Sequence, residues 1–156
     1  MSRLLRRDRG RGQALVEFAL VVPILFLLLF AIIDVSRYVY SWNALNEASR
    51  AGARAGSVSI WPPDCSGLTR EACVKTIAKN RITAVSLALG DVTVQCQRRA
   101  PNGTLSAVAT DNCNGSWRAN DIMTVTITKD FTLLTPVFAQ ILPSLTMTGQ
   151  TTVTVD

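Results

Sequence analysis

No histidine occurs among the 156 residues. Its absence removes the commonest general base and the commonest metal ligand. The four cysteines, Cys65, Cys73, Cys96 and Cys113, contain no C-x-x-C pair, so a zinc site is not expected and no metal is assigned. There is no glycine-rich phosphate loop, and the carboxylates are scattered. Asp64, Asp91, Asp111 and Asp121 fall near turn signals, where aspartate is favoured for structural reasons. A claim of enzymatic activity must be carried by site chemistry, and none is present. The expectation is a protein with no catalytic residue and no cofactor.

A basic surface is also missing, despite a formal net charge of +5. Residues 1–12 hold five arginines (Arg3, Arg6, Arg7, Arg9 and Arg11) against Asp8, whereas residues 13–156 carry eleven basic and ten acidic side chains. The basicity is a tail, and nucleic acid is not an expected partner. Behind the tail comes Gln13 to Ile33, 21 residues in which Glu17 is the one charge. At ~1.5 Å per residue the run spans about 31 Å as a helix, enough to cross the hydrocarbon core of a lipid bilayer. Arginines precede the run, so the N-terminus stays cytoplasmic and the remainder is exported. A cleaved signal peptide fits less well, because its apolar region is usually about 7–15 residues. No clear small-x-small cleavage site stands directly behind the run.

All four cysteines lie on the exported side, and an even count there reads as two disulfides. Of the three connectivities, Cys65–Cys73 with Cys96–Cys113 is preferred, because each bridge then closes one loop. A bridge from Cys73 to Cys96 is the geometrically reasonable competitor.

Helical spacing continues past the membrane run through Val35, Tyr38, Val39, Trp42, Leu45, Ala48, Gly52 and Ala55. A second set, Ala44, Ala48, Gly52 and Gly56, repeats every four residues and lets another backbone come close. That backbone belongs either to the protein's own sheet or to a partner subunit. Pro23 predicts a kink or local unwinding, and Trp61-Pro62-Pro63 predicts the helix stop. Thr69 is the expected cap of a second helix with Val74, Ile77, Ala78, Ile82, Val85 and Leu89 on one stripe. Glu71 suits its first turn and Gly90 its end.

Strand patterns follow. Val92, Val94 and Cys96 alternate with Thr93, Gln95 and Gln97. Met123, Val125 and Ile127 alternate with Thr124, Thr126 and Thr128. Met147, Thr151, Val153 and Val155 oppose Thr148, Gln150, Thr152 and Thr154. Each has one apolar and one threonine-rich face, as in a half-exposed antiparallel sheet. Asn102-Gly103 and Asn114-Gly115 read as turns, although both are also N-x-S/T sequons. Residues 134–145 form an apolar connection with Pro136 and Pro143. The expected class is α+β: a long N-terminal transmembrane helix, continuing into an exported domain with a second helix and a small antiparallel sheet. The boundaries are a basic leader at 1–12, the membrane helix at 13–33, its exported extension at 34–61 and the extracytoplasmic domain at 62–156.

Gly12, followed by Gln13-Ala14-Leu15-Val16-Glu17-Phe18, resembles the cleavage signal of type IV pilin-like precursors. There a basic leader ends in glycine, and glutamate stands fifth in the mature chain. The flp-type branch carries an aromatic residue sixth, usually tyrosine, where this chain has Phe18. The wider stretch, RGQALVEFALVVPILFLLLFAIIDVSRYVYSWNALNEASRAGARAG, resembles the TadE-like family of pseudopilins from tight-adherence pilus systems. Val16 to Leu20, Pro23, the Asp34 and Arg37 region, and Gly52-Ala53-Arg54 carry the match, over about 46 residues.

The resemblance implies a minor pilus component, cut between Gly12 and Gln13 by a prepilin peptidase. It implies other pilin-like subunits and the pilus assembly machinery as partners. It also implies a single pass through the bacterial cytoplasmic membrane, with the C-terminal domain periplasmic or extracellular, and a role in surface attachment. Glu17, Ala44, Ala48, Gly52 and Gly56 become candidate assembly residues. A signal-anchored exported domain that binds a ligand or a wall component, uncut after Gly12, is the alternative. Residues 60–156 add only the general pattern of a disulfide-bonded exported domain.

Overall fold

A computed structural model describes residues 9–58, 62–107, 113, 120–135, 140 and 144–155. The leader through Asp8, the Trp61 stop, Asp111, the Asn114-Gly115 turn, Pro136 and Pro143 lie outside these residues. The chain divides into two compact units, Met1–Arg37 with Leu133–Pro143 and Tyr38–Thr132 with Ser144–Asp156.

Helix α1 spans Arg9–Ser57 and contributes to both units. It runs unbroken through Pro23, so the local unwinding expected there does not occur. One missing donor is a small perturbation in a helix of 49 residues whose other backbone bonds persist. The helix ends at Ser57, before Trp61. Its last carbonyls find other partners there: the Ser57 hydroxyl donates to Arg54 O, and the Arg70 guanidinium donates to Gly56 O. In the first unit the apolar run of α1 is almost wholly exposed, with Leu15, Phe18, Leu20 and Ile24 each more than 60 % accessible. That excludes a core helix of this chain as the reason for its apolarity.

The second unit holds helix α2 (Arg70–Arg81) and four strands: β1 (Val92–Arg99), β2 (Leu105–Ala107), β3 (Ile122–Phe131) and β4 (Leu145–Thr154). Thr69 caps α2 as expected, its side chain accepting from the Ala72 amide at 3.3 Å. The helix stops at Arg81 rather than at Gly90, and Ile82 is already extended. Of the stripe expected beyond it, Ile82 is buried, Val85 half-buried and Leu89 exposed, while Leu87, outside the stripe, is buried, so the helical periodicity does not continue past the helix.

The sheet order is β2-β1-β3-β4, with every pair antiparallel. The apolar face buries Val92, Val94 and Cys96 of β1, Met123, Val125 and Ile127 of β3, and Met147 of β4. The hydroxyl and amide face stays open, with Thr93, Gln95, Thr128, Thr148, Gln150 and Thr152 exposed. Strand β2 adds to the strands expected. It follows from the Asn102-Gly103 turn, where Gly103 has φ +83° and its amide donates to Ala100 O at 2.8 Å.

The two disulfides are Cys65–Cys73 and Cys96–Cys113, the local pairing. The first ties a single 3-10 turn at Pro63–Cys65 to the start of α2, and the second ties β1 to Cys113. In the chain-entropy model a loop of this size makes the second bridge worth about 3 kcal/mol. Replacing Cys96 and Cys113 together with serine should lower the unfolding free energy by about that amount, measured in denaturant on the detergent-solubilised chain. A loss below about 1 kcal/mol would contradict the staple role.

Candidate functional site

The N-terminal candidates lie on one helical segment. Gln13 and Glu17 are four residues apart on α1, so their side chains share a face. Glu17 is exposed among the exposed apolar residues Leu15, Val16, Phe18 and Leu20. Gly12 is open, with nothing within 4 Å of where a Cβ would stand. The Gly12–Gln13 bond lies near the start of α1, where helices fray.

The small-residue set sits elsewhere on α1, in the second unit, and is occupied within the chain. Ala48 is fully buried, and Ala44 is half-buried. A Cβ on Gly52 would meet Val74 O and the Ala78 Cβ at 3.2 Å, both on α2. A Cβ on Gly56 would meet Met123 Sδ at 2.5 Å and Val74 Cγ2 at 2.7 Å. The close approach that this spacing permits is therefore made to the protein's own α2 and β3.

Two features have contacts that the sequence reading did not anticipate. The first is Gly149 on β4, where a Cβ would lie 2.8 Å from the Leu45 carbonyl carbon and 3.0 Å from Asn46 N. The backbone of α1 rests directly on the strand. Beside it, the Ser49 and Thr151 hydroxyls are 2.7 Å apart. A glycine inside a strand pattern signals close backbone approach, but not which backbone.

The second is Asp34, whose carboxylate is almost wholly covered. Within the first unit it accepts from the Thr135 hydroxyl at 2.6 Å, the Thr135 amide at 3.1 Å and the Leu134 amide at 3.0 Å. Arg37 adds an ion pair at 3.5 Å. The Thr135 hydroxyl is the main cause that lowers the Asp34 pKa below its ordinary 3.8; the two amides and Arg37 act in the same direction, against the cost of burial. A depressed carboxylate pKa stabilises the folded form above the ordinary value and loses that contribution as pH falls through the folded one. The Asp34 clasp should thus be indifferent to pH from about 5 to 8 and open only in stronger acid. Hydrogen exchange at the Leu134 and Thr135 amides checks this, and faster exchange between pH 8 and 5 beyond the intrinsic change would refute it.

Asp91 has a plainer part. Its carboxylate takes the Lys129 ammonium at 2.8 Å and the Ala88 amide at 2.9 Å, and the Lys129 bond is the main cause that lowers its pKa. It fixes the turn before β1. Among the described residues no group of three metal-ligating side chains converges.

Among the described residues these elements define a class: one apolar helix, long enough to cross a membrane, continuing into a disulfide-bonded α+β domain. More particularly, residues 12–54 match the family model described as TadE-like protein, which covers the membrane run and its extension as far as Arg54. Neither the curated proteins nor the solved structures contain a match.

Proposed function

We propose that this chain is a minor, non-enzymatic pilin-like subunit that supports assembly of tight-adherence pili and, through them, surface attachment. The match over residues 12–54 carries this reading, since it begins at Gly12 and includes Glu17, Phe18, Pro23 and Asp34. In this account the arginine tail holds the N-terminus in the cytoplasm, and α1 anchors the chain in the cytoplasmic membrane by a single pass. A prepilin peptidase then cuts between Gly12 and Gln13. The cut removes the orientation signal and leaves a charged amine on Gln13, four residues before Glu17. The partners are other pilin-like subunits and the assembly machinery.

N-terminal sequencing of the purified protein tests this reading. The expected first residue is Gln13, and Gly12→Leu should leave the leader attached in nearly all molecules, because a bulky residue precedes the bond. A mature chain beginning at Met1, or beyond residue 33, would reject the processing step and favour a signal-anchored binding domain.

A further inference from the structure

The sheet of the second unit has two edges of unequal length: β2 has 3 residues and β4 has 10. Val155, just past the end of β4, donates to Asp121 O at 2.8 Å, in register with the β3–β4 ladder. Bonding alternates along an antiparallel strand. Val153, Thr151, Gly149, Met147 and Leu145 therefore turn their backbone groups to β3. Thr146, Thr148, Gln150, Thr152 and Thr154 turn theirs outward, and no described residue bonds them. A long edge of this kind is normally blunted by lysine, proline or inward charge. Strand β4, LTMTGQTTVT, has no charge and no proline.

A second observation lies on α1. The helix passes over β4 at Gly149 and bonds it through Ser49 and Thr151. Val39, Trp42 and Asn46 follow at i, i+3 and i+7, so they share one flank. Trp42 is 45 % exposed and Val39 46 %. Ser49, at i+7 from Trp42, bonds Thr151, so this flank is the one on the β4 side. Apolar surface therefore stands beside the open edge, where it would cover the inward side chains of one more strand.

We propose that β4 accepts an extended segment of a different protein chain as a fifth strand. The segment is uncharged, with apolar side chains turned toward Val39 and Trp42 and hydroxyl or amide side chains continuing the threonine face. A second copy of this chain is a poorer occupant. An antiparallel β4–β4 pair has its two-fold axis normal to the sheet, which reverses α1 in the partner. Two copies held by α1 in one bilayer must enter it in the same direction. Head-to-tail addition would meet β2, which offers 3 residues among the described ones. The exclusion of self-pairing rests on the membrane-anchor reading; the open edge does not.

The test is residue-resolved hydrogen exchange on the full chain in detergent micelles. The probe is an acetylated decapeptide alternating threonine and valine, with a control in which three threonines are lysine. With the uncharged peptide, amides of Thr146, Thr148, Gln150, Thr152 and Thr154 should slow by about tenfold or more, while those bonded to β3 change little. The double variant Gln150→Lys/Thr152→Lys alters exposed side chains only. It should weaken the peptide effect at least tenfold with inward amides unchanged, which shows the fold intact. Unchanged outward exchange at about 1 mM peptide, or equal slowing at inward and outward amides, would overturn the proposal. Outward protection that rises with protein concentration alone would assign the edge to a second copy, and would also speak against parallel anchoring.

Discussion

Gly149→Val should abolish the stable fold of the second unit, and Gly149→Ala should weaken it by about 1–3 kcal/mol, the usual cost of overpacking. Ordinarily a glycine inside a strand costs about 0.5–1 kcal/mol relative to alanine, so the substitution could stabilise. The neighbours decide the sign. A Cβ at 149 would lie 2.8 Å from Leu45 C, 2.9 Å from Leu45 O and 3.0 Å from Asn46 N, all backbone atoms of a helix that cannot rotate away. Relief requires α1 to lift or β4 to slide. Lifting α1 exposes Leu45 and Ala48, both fully buried, and separates Ser49 from Thr151. Exposing one leucine alone costs about 1.5–3 kcal/mol. Sliding β4 breaks a ladder that pairs ten residues with β3. Valine adds two methyl groups to the same collision, against a total stability of about 5–15 kcal/mol for a typical domain. Gly90→Ala is the matched control, with nothing within 4 Å of the added carbon. Thermal unfolding and protease resistance of the solubilised chain read the outcome. A Gly149→Val protein that melts with the parent would show that α1 does not rest on β4.

What the sequence made legible is what periodicity and punctuation encode locally. Helix α1 follows from an apolar run that continues at helical spacing, and β3 and β4 follow from threonine alternating with apolar residues. Thr69 and Glu71 announce the start of α2, because a cap is a local hydrogen bond. Its end was obscured, since Ile82, Val85 and Leu89 continue the helical spacing after the helix stops, although Leu89 is exposed, and spacing alone does not distinguish a loop from a helix face. The Asn102-Gly103 turn was read, but the three-residue strand behind it was too short to show alternation. The contacts of Gly149 and Asp34 were illegible for another reason. Their partners, Leu45 and Thr135, lie about a hundred residues away, and no local pattern names them. The same gap applies to the small residues at 44–56. Their spacing promised a close neighbour, and only the folded chain identifies Val74, Ala78 and Met123 as the ones it meets.

Glu17→Ala should leave membrane insertion intact, or improve it, while surface pili fall to background. A carboxylate within the apolar part of a membrane helix costs roughly 2.5–3.5 kcal/mol at the centre on insertion scales, and less near the interface. Removing it cannot hinder insertion on that account. Glu17 is flanked by exposed Leu15, Val16, Phe18 and Leu20, so no side chain nearby in sequence supplies a counter-charge. A charge kept in such surroundings is a functional candidate whose partner has to be named. In the proposed mature chain that partner is the amine of Gln13, on the same helix or on a neighbouring subunit. The positive end of the helix also favours an anion close behind the cut. Pairing between subunits would bring two helices into register in the bilayer, which gives Glu17 a part in assembly that insertion does not need. Glu17→Gln separates charge from polarity, because it keeps the shape and the hydrogen-bonding oxygen but cannot balance an ammonium group. It should fail as Glu17→Ala does. Each variant is expressed in a strain lacking the native protein, and membrane fractionation is read together with surface pili. Normal pili at normal membrane levels would reduce Glu17 to a residue solvated at the headgroups. Failure to insert would show that the assigned cost has the wrong sign.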